Sequence, residues 1–112
     1  MTEKSWQRVA KASEVAEGEV FGAHVGDAPI ALCRIDGKVY AFDDVCPHAY
    51  ALLSQGFVEG SEIECPLHGA RFDIATGRCL APPADRDLQM HDVRIEGDDI
   101  CVASRRNDTE PV

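Results

Sequence analysis

Apolar and polar positions along this 112-residue chain fall into short strand-like runs broken by Gly, Asp and Pro. The runs are Gln7–Ala10, Glu19–Val25, Ile30–Ile35, Val39–Asp43, Glu62–Glu64, Arg71–Asp73, Met90–Ile95 and Ile100–Ala103. Asp36-Gly37, between two apolar runs, is a type I′ hairpin signal. Glu96-Gly97-Asp98 reads as a three-residue hairpin turn and Thr76-Gly77 as another tight turn. Ser13 is expected to cap one short helical turn over Ala12–Ala16. Helical periodicity is otherwise nearly absent. Many short strands with close turns predict an all-β chain, an antiparallel sandwich or barrel. Residues 104–112, "SRRNDTEPV", are polar without apolar periodicity. They are expected to form a loose tail behind a single domain over 1–103.

Composition narrows the function classes. Lys and Arg number 11 against 20 Asp and Glu, a net charge of −9. That argues against nucleic acid and anionic membranes, which call for basic patches, and favours partners of complementary charge. No apolar run approaches a membrane span, and "MTEKSWQRVA" lacks the apolar core of a signal peptide. The expected location is the cytoplasm. Five cysteines in a reducing compartment favour metal ligation over disulfides.

The candidate ligands come in two pairs. Cys46 and His48 stand in "VCPHAY" (45–50), and Cys65 and His68 in "ECPLHGARFD" (64–73). Each pair follows an expected strand, so two neighbouring loops could aim four ligands at one spot. A tetrahedral zinc ion suits two thiolates and two imidazoles. A Rieske-type 2Fe–2S centre, with two histidines on one iron, suits them as well. Zinc sites usually pair like with like, Cys-x-x-Cys on a loop and His-x-x-x-His on a helix. Here each loop carries one of each, which a binuclear cluster accounts for: Cys46 and Cys65 on the inner iron, His48 and His68 on the outer.

The ligand pattern, together with "LSQGFVEG" (53–60), "ECPLHGARFD" and "TGRCLAPP" (76–83), resembles the Rieske ferredoxins of bacterial aromatic-ring-hydroxylating dioxygenase systems. The likeness runs from the Trp6 strand to about Ala103. It implies an antiparallel β-sandwich carrying a small cluster-binding subdomain, with cluster loops over about 44–83 and Pro82 and Pro83 in a third covering loop. Its one cofactor would be a Rieske 2Fe–2S cluster. The implied partners are a flavin-dependent NAD(P)H reductase and a terminal oxygenase with its own Rieske centre. The chain would be a monomeric one-electron carrier and no enzyme by itself. It lacks a dinucleotide fingerprint and a two-histidine, one-carboxylate iron site. Ala49 departs from the glycine common after the first histidine. Ala51 and Leu67 stand where the respiratory branch of the family has a disulfide. A Rieske-like small subunit of a nitrite reductase and a zinc-stabilised interaction domain are the alternatives.

Two ferric ions, two sulfides and two thiolates sum to zero charge with neutral imidazoles, so adding an electron costs less than in an all-cysteine cluster. Rieske potentials span roughly −150 to +300 mV. Gly69, Ala70 and Phe72 stand where the respiratory branch has hydroxyls near the cluster, which predicts a value near the lower end. Cys33 and Cys101 read as core thiols. Cys79 lies close to the site with no role required of it. His24 and His91 read as surface or satisfied polar residues, and Trp6 as packing. Asp85–Asp92 is a solvated acidic face or a docking patch, and Tyr50 a packing or docking aromatic.

Overall fold

The strands form where the apolar runs predict them, and short additions complete a second sheet. The computed structural model describes residues 5–47, 51–67, 69–81 and 86–103. Within these, the strands are β1 (Gln7–Lys11), β2 (Val20–Val25), β3 (Ala28–Ile35), β4 (Lys38–Asp43), β5 (Phe57–Glu59), β6 (Glu62–Glu64), β7 (Arg71–Asp73), β8 (Cys79–Ala81), β9 (Met90–Glu96) and β10 (Asp99–Ala103). A six-stranded sheet has the order β1-β10-β9-β4-β3-β2, and a four-stranded sheet the order β5-β6-β7-β8. All named pairings are antiparallel. The tail beyond Ala103 lies outside the described residues.

Strands β3 and β4 are buried on both faces, which explains the unbroken apolar run "PIALC". On one face, Ile30, Leu32, Val39 and Ala41 pack with Ala10, Val15, Ala23, Ile100 and Val102. These come from both edges of the six-stranded sheet, so the sheet curls around that core. On the other face, Ala31, Cys33 and Phe42 pack against Leu53, Ile63, Phe72 and Ile74, together with Cys46 and Cys65. This second core joins the two sheets. Each fully buried Phe or Ile contributes about 1.5–3 kcal/mol relative to exposure. The arrangement is the all-β antiparallel fold that the sequence predicts, with a smaller second sheet that the sequence does not.

The local signals hold with three corrections. Ile35 pairs with Lys38, and Asp36 and Gly37 both take positive φ, 53° and 82°, as a type I′ loop requires. At the second hairpin Glu96 pairs directly with Asp99. The loop is therefore the two residues Gly97-Asp98, with Gly97 at φ 62°, and Glu96 belongs to its strand. The helical turn is a 3₁₀ turn over Ala12–Glu14 with Lys11 at its N-cap. Ser13 sits inside it because Asp98 takes its hydroxyl at 3.4 Å, while Glu14 accepts the Lys11 N–H at 2.8 Å. Finally, β5 and β8, three residues each, lie outside the sequence-predicted strands.

Residues read as packing behave so. Cys33 is fully buried and Cys101 nearly so. Trp6 is half-buried under the Arg94 guanidinium, 4.4 Å from its ring centre. His24 is exposed. His91 is buried, with Nε2 2.7 Å from Asp43 Oδ1.

Candidate metal centre

The two cysteines leave different sheets and meet in the shared core. After β4 the chain runs through Asp44 and Val45 to Cys46; after β6 it turns directly into Cys65. Each loop is closed at its base in the same way. The Cys46 N–H donates to the Ala51 carbonyl at 2.9 Å, and the Cys65 N–H to the Ala70 carbonyl at 2.7 Å. Both bonds span five residues, although the Cys-to-His spacings of the two loops differ. Gly69 takes φ 77°, a conformation that L side chains avoid, and lets the second loop return to Ala70.

Close packing holds the loops together. The short 3₁₀ turn Leu53–Gln55 inserts the buried Leu53 into the core. At Gly56 an added Cβ would collide with the Glu64 carbonyl and approach Pro66 Cδ at 3.1 Å. The segment after the first loop thus lies directly against the start of the second. Near β8, the Cys79 N–H donates to Asp87 Oδ1 at 2.8 Å. Gly77 has no room for a Cβ, with Leu88 O and Met90 Sδ both 2.9 Å away. In the acidic stretch, Asp87 is exposed and engaged in that bond and Asp92 is half-buried.

Cys46 is 2% and Cys65 1% exposed, and none of the five cysteines is in a disulfide. Cys46 and Cys65 lie in the same core close enough to perturb each other, and the Leu67 backbone acts on the Cys65 thiol. Burial pushes the Cys65 thiol above its usual range. The Leu67 backbone opposes that rise, while Cys46 adds to it. His48, His68, Ala49, Tyr50, Pro82, Pro83 and Asp85 lie outside the described residues. Among the described residues no group of three or more His, Cys, Asp or Glu gathers as a metal site. Cys79 is half-buried against the same core, with Sγ 3.7 Å from the Ala81 carbonyl.

The described half of the donor set fits an iron–sulfur cluster. Two thiolates in an apolar core need positive charge to be tenable there, and ferric iron supplies it. The Leu67 backbone already acts on the Cys65 sulfur in the sense that favours thiolate over thiol. Ala70 and Phe72, fully buried in the same core, bring no hydroxyl. Leu67 is exposed and Ala51 packs on the core, and as neither carries a sulfur no disulfide joins the loops at these positions. Sequence reasoning missed Asp44, Ser54 and Gly56. For Ser54 and Gly56 the signal was the "LSQG" stretch, which matched a family run without a physical role attached; Asp44, in "FDDV", carried no such signal.

Comparison with known proteins agrees with this geometry. The Rieske [2Fe-2S] domain matches residues 5–92. The ferredoxin component of the naphthalene 1,2-dioxygenase system of Pseudomonas aeruginosa is 43% identical over 102 residues, covering 91% of this chain and 97% of that protein. The ferredoxin of carbazole 1,9a-dioxygenase from Nocardioides aromaticivorans IC177 superposes with a TM-score of 0.84 at 35% identity, covering 90% of this chain and 99% of that one. A chain in the solved complex of reduced oxygenase and oxidized ferredoxin in carbazole 1,9a-dioxygenase gives a TM-score of 0.82 at 34% identity, covering 90% and 94%. With two buried thiols meeting from separate loops and a domain match across most of its length, this chain belongs to the Rieske [2Fe-2S] family, and its cofactor is a single Rieske 2Fe–2S cluster.

Proposed function

We propose that this chain is the ferredoxin component of an aromatic-ring dioxygenase or hydroxylase system. It takes one electron at a time from a flavin-dependent NAD(P)H reductase and passes it to the terminal oxygenase. The carrying observation is the pair of buried cysteines, Cys46 and Cys65, delivered into one core by loops from two sheets. Relatives of 34–43% identity named as dioxygenase ferredoxins favour this reading over a nitrite reductase subunit.

In this reading Cys46, His48, Cys65 and His68 hold the cluster, which supplies reversible one-electron chemistry. The protein's own residues exclude water and position the sulfurs. Ala70, Phe72, Leu53 and Ile63 keep the cysteine side dry, and the Leu67 backbone stabilises charge on Cys65 Sγ. Exposed Val45, Pro66 and Leu67 flank the two cysteines and offer an apolar contact to a partner. The chain works as a cytoplasmic monomer, with residues 1–103 as the functional domain and 104–112 as a dispensable tail.

The test is a visible and EPR spectrum of the purified protein with a redox titration. A Rieske spectrum is expected, with a potential near the low end of the roughly −150 to +300 mV range. Reduction by a dioxygenase-system reductase and reoxidation by its oxygenase should follow in stopped-flow. Cys46→Ser and Cys65→Ser should abolish the spectrum, as should His48→Ala and His68→Ala. A colourless protein with stoichiometric zinc overturns the reading.

A further inference from the structure

Between β4 and Cys46 the chain passes through a buried carboxylate that the ligand chemistry does not use. Asp44 is 2% exposed. Its Oδ1 accepts the Ser54 N–H at 2.6 Å and its Oδ2 the Ser54 hydroxyl at 2.6 Å. Its backbone is engaged as well: the N–H donates to the Pro29 carbonyl at 3.1 Å, and the carbonyl accepts the Leu53 N–H at 2.7 Å. A Cβ at Gly22 would stand 3.1 Å from Ser54 Oγ and 3.5 Å from Asp44 Oδ2, so β2 closes the pair from outside. One residue thereby ties β3, the Leu53–Gln55 turn and the Cys46 loop.

A buried carboxylate is costly even when hydrogen-bonded, and an amide could make both side-chain contacts without a charge. Asn would accept the Ser54 N–H through Oδ1 and donate to the hydroxyl through Nδ2. The geometry points to Asp44 as a positioning residue whose charge matters: it fixes the Cys46 loop through Ser54 and opposes the arrival of the electron on the cluster. This rests on Cys46 being a ligand. One-electron reduction takes the cluster from neutral to minus one, and a fixed negative charge two residues from Cys46 disfavours that change.

The experiment compares wild type, Asp44→Asn, Ser54→Ala and Cys46→Ser, all expressed with iron and sulfide supplied, by visible and EPR spectra and, where a cluster is present, by redox titration. Amide hydrogen exchange is measured in parallel on the same preparations. Asp44→Asn is expected to keep its spectrum and be reduced more easily. The shift is several-fold to about tenfold in the one-electron equilibrium constant, tenfold being about 59 mV. Ser54→Ala keeps the carboxylate and should shift less, while exchange at the Cys46 amide quickens as the tie loosens. An unchanged potential in a spectrally intact Asp44→Asn overturns the inference, as does an equal shift in Ser54→Ala. If Asp44→Asn does not retain the cluster, Ser54→Ala decides through Cys46 amide exchange: faster exchange supports the tie, unchanged exchange overturns it. Cys46→Ser separates the two readings. If it keeps the native spectrum, the ligand assignment fails whatever Asp44 does.

Discussion

Cys33 shows how burial alone sets the chemistry of a residue. It lies on β3, fully buried in the core that also holds Cys46 and Cys65. Burial, with a smaller contribution from Glu17, pushes its thiol up to about 11 from an ordinary 9.0. At neutral pH it is a thiol and a poor nucleophile, so native protein treated with iodoacetamide should leave Cys33 unmodified. The raised value also has a signed effect on stability. Between about pH 9 and 11 the unfolded chain has lost this proton while the folded one keeps it, so stability falls as pH rises through that window. Below pH 9 both states are protonated and Cys33 adds no slope. Thermal melts from pH 8 to 11 should show the decline, and Cys33→Ala should flatten it. Equal slopes in the two proteins would remove Cys33 as the cause.

Elements carry the second lesson, in how two short stretches hold the site. Gly56 has an ordinary φ of −89°, so its lack of a side chain is a matter of space: the Glu64 carbonyl occupies the position of a Cβ. Gly56→Ala should force β5 away from β6 and cost about 1–3 kcal/mol. A denaturant melt would register it, and the cluster should be lost faster to a chelator than from wild type. Within the larger sheet, β3 and β4 were legible because their apolar runs meet at Asp36-Gly37, and β9 and β10 because theirs meet at Gly97. The strands β5 and β8 were missed: "FVE" and "CLA" are too short to show a period, as are the predicted "EIE" and "RFD" of β6 and β7, and at this length pairing with neighbours decides the strand. That Cys46 and Cys65 would come together was legible from residue type and spacing, and they share one core; their ligation is an expectation. Asp44 was not legible, because "FDDV" reads as solvated turn chemistry; only the fold shows that Asp43 meets His91 and Asp44 meets Ser54. The histidine half of the site remains an expectation from spacing.

At the scale of the whole molecule, charge governs encounter. A net charge of −9 steers the carrier toward basic surfaces, and such steering weakens as salt shortens the Debye length from about 10 Å at 0.1 M to about 3 Å at 1 M. The second-order rate of electron delivery to the oxygenase should therefore fall as ionic strength rises, measurable by stopped-flow; a salt-independent rate would leave apolar contact as the dominant attraction. Deleting residues 104–112 should leave the melting temperature and the visible spectrum within error of the full chain, and a loss of either would assign the tail to the folded domain. The two cysteines have one more consequence. Cys46 hangs from the larger sheet and Cys65 from the smaller, so with these sulfurs as ligands the cofactor is also a clasp across the seam between them. Without iron and sulfide the seam is held by the apolar core alone, and limited proteolysis of such protein should cut the smaller sheet first.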